Sequence, residues 1–239
     1  MSMIEWKADE GVAVVVMNNG ENRHNPLFVK SMLEILDEIE EDKSISAVVI
    51  TSSDNKNWSQ GIDLAWIMGE IQEGKHQAVK DFLYGINDIF KRILLYPVPV
   101  IAGINGHTVG NGSILACACD FRFMRSDRGF FFFPEIDINI PFLPGMIALV
   151  KKSIPGYKFE EMVFTGKRYA AAELEKYNII YGICENEEVL MEETVSFAKS
   201  FTKGRGIFGE MKKRMHREII DIIDEIDPPL IENLSLIVT

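Results

Sequence analysis

The sequence predicts an α/β protein in which a buried, largely parallel sheet is followed by a helical C-terminal region. Three continuous apolar runs, at residues 12–17, 46–51 and 98–104, are typical of strands buried on both faces. They alternate with amphipathic segments at 28–41 and 76–95, the order expected when helices connect parallel strands. Beyond residue 144 the pattern is helical, so the sheet belongs to the N-terminal part of the chain.

Each predicted element has a sequence feature that sets one of its ends or faces. Turn residues at 18–20 close the first strand, and Pro97 stops the helix at 76–95. The helix at 28–41 presents one apolar stripe, made of Met32, Ile35, Leu36 and Ile39. Short strands are predicted at 121–124 and 130–133, the second ended by Pro134. Helices are predicted at 146–153, 159–164, 170–176, 188–203 and 209–226.

Composition and charge exclude several classes of function. The formal net charge is −11 and the isoelectric point is near 4.9, which argues against binding to nucleic acid or to anionic membranes. No uncharged apolar stretch reaches the roughly 18 residues that a membrane helix needs. The 3 cysteines include two in an apolar run, and the N-terminus lacks the features of a secretory signal. Buried, reduced thiols and a cytoplasmic location are therefore predicted.

Several familiar site patterns fail on inspection. The segment 165–168 has arginine where a phosphate loop needs Ser or Thr for magnesium. Cys117 and Cys119 have one residue between them, not the two of a metal or redox pair. The four histidines form no metal-binding pattern, and no serine lies in a nucleophile elbow. No metal site is predicted.

Two glycine-bearing turns remain, each placed after an apolar strand and before a helix. They are residues 58–64 and 105–114. A tight turn at a helix N-terminus presents unpaired backbone N–H groups and the positive end of the helix dipole. Two such turns side by side are able to aim two donors at one oxygen, as in an oxyanion hole. The alternative, that both are only tight connections, stays open on spacing alone.

These turns resemble sequences of the enoyl-CoA hydratase/isomerase family, also called the crotonase family. Residues 58–64 (WSQGIDL) are similar to the family's F-x-x-G-x-D-[LI], and residues 105–120 are similar to N-G-x-x-x-G-G-G-x-E-L-A-x-x-C-D. Residues 133–136 (FPEI) resemble Q-P-E-I, and the segment from 164 resembles L-T-G-x-x-[IY]-x-A-x-E-A. Residues 20–26 resemble the turn that borders the adenine of coenzyme A. The matches run in order from about residue 10 to 184.

The resemblance implies a crotonase-type spiral of ββα units, residues 1–184, followed by a helical trimerisation region, residues 185–239. It also implies an acyl-CoA thioester as substrate, no separate cofactor, and a homotrimer or dimer of trimers. The implied catalytic residue is Glu135, and the oxyanion donors are the backbone N–H groups of Ile62 and Asn111. Contacts to coenzyme A are implied for Arg23, His24, Lys56, Ser59 and Gly61, and the substrate pocket for Gly110, Ile114 and Phe133. The segment 227–239 does not match the family's usual C-terminal lysine and phenylalanine motif.

Two departures from the family pattern concern the site, and the second of them decides the expected reaction. Asn111 replaces a glycine, although its backbone N–H remains, and Ile114 replaces one of the two glutamates of the hydratases. A single carboxylate, Glu135, holds and activates water poorly, but it suffices to take one proton and return it elsewhere. The sequence therefore favours an isomerase that converts 3-enoyl-CoA to 2-enoyl-CoA.

Some alternatives stay open at this point. One is a hydratase with a non-standard second acid, and another is a non-catalytic acyl-CoA-binding scaffold. Glu135 could instead be a structural residue held in an ion pair. The phenylalanines at 130–133 could belong to the hydrophobic core rather than to the acyl pocket. Asp63 is predicted to cap a helix rather than to act as an acid or base.

Overall fold

The computed structural model describes residues 3–235 as strands and helices joined by short turns. The strands are β1 (Ile4–Asp9), β2 (Val12–Met17), β3 (Arg23–His24), β4 (Ala47–Ser52), β5 (Asn57–Ser59), β6 (Gly61–Ile62), β7 (Val100–Ile104), β8 (His107–Val109), β9 (Phe121–Arg125), β10 (Phe131–Phe132) and β11 (Gly182–Cys184). The helices are α1 (Pro26–Glu41), α2 (Leu64–Gln72), α3 (His76–Leu94), α4 (Asn111–Ala118), α5 (Pro144–Lys151), α6 (Gly156–Thr165), α7 (Ala171–Glu175), α8 (Glu187–Lys199), α9 (Arg205–Met215), α10 (Arg217–Glu225) and α11 (Asp227–Glu232). A 3₁₀ turn spans Glu135–Ile138.

The strands form one large sheet, one small sheet and a separate parallel pair of β3 and β6. The large sheet has the order β1-β2-β4-β7-β9-β11, and its neighbours are parallel except for the antiparallel β1-β2 hairpin. The small sheet has the order β10-β8-β5 and is parallel throughout. The predicted parallel sheet is thus confirmed.

The chain passes through the two sheets in a repeating order. A strand of the large sheet leads to a strand of the small sheet and then to a helix, as in β4, β5 and α2, and again in β7, β8 and α4. This is the ββα spiral that the resemblance implied. Because β5 and β8 are parallel neighbours, the turns that follow them lie side by side.

Helices cover both faces of the large sheet. Side chains alternate between the two faces, so each strand contributes to a core on either side. Val15 and Met17 pack into a core that includes buried residues of α1 and α3, whereas Val12 and Val14 pack towards α8. α8 therefore shares the hydrophobic core of the strands although it follows residue 184. The functional division into 1–184 and 185–239 stays a prediction.

The structure corrects two sequence predictions and adds the strands β1, β3, β5, β6, β8 and β11. The single helix at 209–226 is wrong, because α9 and α10 are separated at His216. Lys212 on α9 bonds to the Ile93 carbonyl and to Asp120, whereas α10 packs on α5, so the helices face different partners. The strand predicted at 130–133 is shorter in the structure, where only the two residues of β10 are paired. β1 was not predicted, because its residues are mostly exposed and partly charged.

The C-terminal helices fold back onto their own core. Ile223 of α10 is buried, and the buried Asp227 accepts hydrogen bonds from the Gly145 N–H at 2.8 Å and from Asn87 Nδ2 at 3.0 Å. Burial raises the pKa of the Asp227 carboxyl. The comparison of 227–239 with the family motif also involves residues 236–239, which lie outside the described part of the chain.

The predicted burial of the cysteines is confirmed. Cys117, Cys119 and Cys184 are free and buried, and burial raises the pKa of each thiol. Among the described residues, no helix combines the length and apolar character that crossing a membrane requires.

An exposed apolar stripe on α9 predicts self-association. Ile207, Met211 and Met215 lie at helical spacing and are 62%, 51% and 68% exposed. We expect a trimer or hexamer by light scattering at micromolar concentration, and a shift to smaller species in Met211→Glu. Lys213→Glu places the same charge on an exposed position of the same helix and should leave the assembly intact. A wild-type monomer would contradict the expected assembly.

Candidate active site

The two glycine-bearing turns lie against each other with their backbones in close approach. Gly61 has a φ of 70°, and a Cβ there would lie 2.6 Å from the Val109 carbonyl oxygen and 3.0 Å from the Asn111 nitrogen. A Cβ at Gly112 would lie 2.7 Å from a backbone oxygen of the first turn. Because Gly61 and Gly112 have no side chain, the backbone around Ile62 is able to lie next to the start of α4.

The helix that begins at this contact supplies backbone donors. Gly110 precedes α4 with a φ of 53° and a ψ of −119°, and no side chain of residues 3–235 caps the helix. The first N–H groups of a helix have no intrahelical acceptor and carry the positive end of the dipole, so the Asn111 N–H is suited to a negative oxygen. α2 differs, because Asp63 caps it by accepting the Trp66 N–H at 3.1 Å, as predicted.

Glu135 opens the 3₁₀ turn and lies beside Gly110. A Cβ at Gly110 would lie 2.9 Å from Glu135 Oε1, and Oε2 is buried without a hydrogen-bond partner among the described residues. Burial raises the pKa of the Glu135 carboxyl to about 7, because desolvation outweighs the hydrogen bond from its own backbone. A carboxyl with this pKa is present in both protonation states near neutral pH, which suits proton transfer.

A cavity of about 250 Å³ lies between these groups. Its wall is mainly apolar, with Ile62 and Ile114 among the lining residues. Among the described lining residues, Glu135 is the only carboxylate and Arg23 is the only cation. Arg23 is half-exposed and pairs with Glu21 at 2.9 Å, so it lies where the cavity meets solvent. No group of three or more potential metal ligands occurs in the described part of the chain.

Comparison with known proteins assigns the family. A sequence model described as enoyl-CoA hydratase/isomerase matches residues 7–224. The chain belongs to the enoyl-CoA hydratase/isomerase family. As a member of this family it is an enzyme, and its fold is the crotonase fold.

The relatives of this family member include proteins named as isomerases and proteins named as hydratases. The protein named enoyl-CoA delta isomerase 3 of Arabidopsis thaliana is 30% identical over 213 residues, which cover 85% of this chain and 87% of that protein. A putative enoyl-CoA hydratase of Thermus thermophilus is 29% identical over 195 residues, covering 80% and 75%. The crystal structure of an enoyl-CoA hydratase from Mycobacterium ulcerans Agy99 superposes with a TM-score of 0.85 at 20% identity, over 97% and 98% of the two chains. That structural likeness shows the shared fold.

Six of the residues singled out from the sequence line the cavity. They are Arg23, Ile62, Gly110, Asn111, Ile114 and Glu135. Ile114 projects from α4 and is 1% exposed, so this family member has an aliphatic side chain in the wall at the position where the motif resemblance implied a glutamate for hydratases.

The other five residues lie elsewhere. Gly61 shapes the contact between the turns, and Lys56 is exposed just before β5, at the end of that strand opposite the site. His24 and Ser59 are buried and contact each other at 2.9 Å, which gives their side chains a supporting place rather than a place in the wall. Phe133 is fully buried and packs on the rings of Phe131, Phe142 and Phe159, so its ring supports the wall from behind.

One part of the wall was missed from the sequence. The segment that follows Glu135 contributes Ile138, Ile140, Pro141, Phe142, Leu143 and Met146. Its signal was present as an apolar run with two prolines, residues 140–144, which begins five positions after the carboxylate. Such a run suits neither a regular strand nor a helix, and this irregularity allows it to fold over the cavity.

Proposed function

We propose that this protein is an acyl-CoA isomerase that shifts the double bond of a 3-enoyl-CoA to position 2. The observation that carries the proposal is the single carboxylate, Glu135, among the described residues that line a cavity also lined by Ile114. Similarity to proteins named enoyl-CoA delta isomerases supports it. Coenzyme A enters as part of the substrate, and Arg23 at the cavity edge suits its phosphates.

In the proposed mechanism the thioester oxygen lies between the backbone N–H groups of Ile62 and Asn111. Glu135 takes a proton from C2, and the electron pair moves to give a dienolate whose negative charge rests on the thioester oxygen. The protonated Glu135 then delivers the same proton to C4. The double bond is left between C2 and C3, and the carboxylate is restored for the next cycle.

The electrostatics of Glu135 support this shuttle. A pKa of about 7 makes the carboxylate a better base than an ordinary glutamate and keeps its acid form accessible. Glu135 Oε2 has no hydrogen-bond partner among the described residues, and the wall is mainly apolar, so direct exchange of the proton with substrate is favoured over exchange with water. The cytoplasmic location and the trimer remain part of the proposal, and related proteins include peroxisomal and mitochondrial forms.

Parallel assays with two substrates test the function. We expect the double bond of 3-hexenoyl-CoA to become conjugated with the thioester. We expect 2-hexenoyl-CoA to keep most of its conjugation, because little of it is hydrated. Hydration at a rate comparable to isomerisation would favour the alternative of a hydratase with a second acid elsewhere in the chain. Binding without turnover of either substrate would favour a non-catalytic acyl-CoA-binding protein.

Substitution of Ile114 tests what the missing carboxylate does. We expect Ile114→Glu to slow isomerisation and to gain measurable hydration of 2-hexenoyl-CoA, because a second carboxylate is then able to hold water near the substrate. The gain should be small, because a buried carboxylate without hydrogen-bond partners has a raised pKa and a loosely held side chain. The measurement is 3-hydroxyacyl-CoA formation.

Ile114→Gln serves as the control, since glutamine is similar to glutamate in size and is also polar but carries no charge. It should slow isomerisation without gaining hydration. Equal hydration by wild type and Ile114→Glu would show that the residue at this position does not decide between the reactions.

A further inference from the structure

His24 is a buried residue next to the site for which the proposed mechanism gives no role. It is 1% exposed, and its ring stacks on Phe28 with centroids 4.2 Å apart. Burial lowers the pKa of its imidazole to about 3, so the ring is neutral at physiological pH. A neutral imidazole has one N–H donor and one bare nitrogen acceptor.

A chain of hydrogen bonds determines which ring nitrogen carries the proton. Asn22 Nδ2 donates to Ser52 Oγ at 2.7 Å and to the Trp58 carbonyl at 3.1 Å, which fixes the Asn22 backbone. The Ser59 hydroxyl donates its proton to the Asn22 carbonyl at 2.8 Å. Ser59 Oγ must then act as the acceptor in its 2.9 Å contact with His24 Nε2. The ring is therefore the Nε2–H tautomer, and Nδ1 is the bare acceptor.

The strand pairing brings His24 close to Asn111, because His24 of β3 pairs with Ile62 of β6 and a Cβ at the neighbouring Gly61 would lie 3.0 Å from the Asn111 nitrogen. Burial dominates the His24 pKa, and the Asn111 side chain is also near enough to the ring to act on it. Yet His24 Nδ1, Asn111 Nδ2 and Asn111 Oδ1 are all buried without a partner in hydrogen-bond geometry among the described residues. Buried polar atoms left unpaired are costly, and these atoms are complementary to one another.

We propose that His24 is a positioning residue, whose Nδ1 accepts a hydrogen bond from the Asn111 side-chain amide and so fixes the direction of the Asn111 backbone N–H. This role rests on the proposed function, in which that N–H binds the thioester oxygen. It accounts for an asparagine at a position where the family has glycine. The side chain ties the oxyanion donor to β3 and, through Ser59, to β5.

Infrared difference spectra of bound butyryl-CoA test the role without requiring turnover. The thioester carbonyl stretch of the wild-type complex should shift to lower frequency, and His24→Leu should lose part of that shift. His24→Asn keeps an acceptor near the position of Nδ1 and should restore it. His24→Gln keeps only the contact to Ser59 and should not. Ser59→Ala, which leaves the Asn111 side untouched, should change the shift less than His24→Leu.

Steady-state kinetics with 3-hexenoyl-CoA supply the second readout. We expect His24→Leu to lower kcat about tenfold with KM nearly unchanged, because misaimed donors weaken mainly the transition state. In an Asn111→Gly background the His24→Leu substitution should have no further effect. Additive losses, or an unchanged carbonyl shift in His24→Leu, would overturn the positioning role. A wild-type enzyme that polarises the carbonyl but does not isomerise would overturn the proposed function alone.

Discussion

Glu135→Gln is expected to lower turnover of 3-hexenoyl-CoA by about 10²- to 10⁴-fold while acyl-CoA binding changes only a few-fold. Glutamine keeps the size of the side chain but is unable to take a proton from C2. The measurement is kcat together with the Kd of butyryl-CoA. Asp137→Asn is the matched control, because Asp137 is an exposed carboxylate in the same 3₁₀ turn. It should leave both quantities unchanged.

The same group predicts the pH dependence of the enzyme. The base must be ionised, so kcat/KM should rise with pH through the folded-state pKa of about 7 and then level off. An activity that stays constant from pH 5 to 8 would remove Glu135 as the base. Turnover of Glu135→Gln within a few-fold of wild type would do the same.

Stability should change in the opposite direction to activity. Folding raises the Glu135 pKa from 4.5 to about 7, so the native state favours the protonated form. The resulting cost is absent below pH 4.5, grows as the pH rises, and is complete above pH 7. Glu135→Gln should therefore be more stable than wild type at pH 8, by about 1–3 kcal/mol, and similar at pH 4.5. Thermal unfolding at the two pH values measures the difference.

Gly61→Ala is expected to lower kcat by about 10²- to 10³-fold in protein that remains folded. The new Cβ would lie 2.6 Å from the Val109 carbonyl oxygen and 3.0 Å from the Asn111 nitrogen. The two turns must then separate, and the donors of Ile62 and Asn111 no longer converge on one oxygen. The measurements are kcat and the carbonyl stretch of bound butyryl-CoA.

Gly74→Ala separates this effect from backbone strain. Gly74 has a φ of 72°, close to the 70° of Gly61, but a Cβ there would have no atom of the described residues within 4 Å. It should cost about 1 kcal/mol of stability from the left-handed backbone alone and leave kcat intact. If folded Gly61→Ala behaves like Gly74→Ala, the close approach of the turns is not needed for catalysis.

The fold was largely readable from the sequence because its strands are buried on both faces. The runs that became β2, β4 and β7 are apolar at successive positions, a pattern with few alternatives when helices lie between them. The two-residue strands β6 and β10 were harder, since their backbone pairing has little hydrophobic signal of its own. The break at His216 contains neither glycine nor proline, and it depends on which neighbours α9 and α10 contact.

The site was readable where motif residues contribute backbone or lie at a turn. Gly61, Gly110 and Glu135 were placed by the spacing of family motifs, and the structure brings their turns together. Side-chain direction was not readable from the sequence. Phe133 was expected in the pocket but points into the core, and the later Phe142 lines the cavity instead. The neutral tautomer of His24 depends on partners distant in sequence.

In the proposed mechanism, one carboxylate carries a proton from C2 to C4 in a cavity with a largely apolar wall. The most direct test is a single turnover of 3-hexenoyl-CoA that carries deuterium at C2, run in ordinary water and followed by mass spectrometry of the product. Transfer by Glu135 predicts that a substantial fraction of the product retains deuterium at C4. A product whose new C4 hydrogen comes only from solvent, already in the first turnover, would contradict the single-carboxylate shuttle.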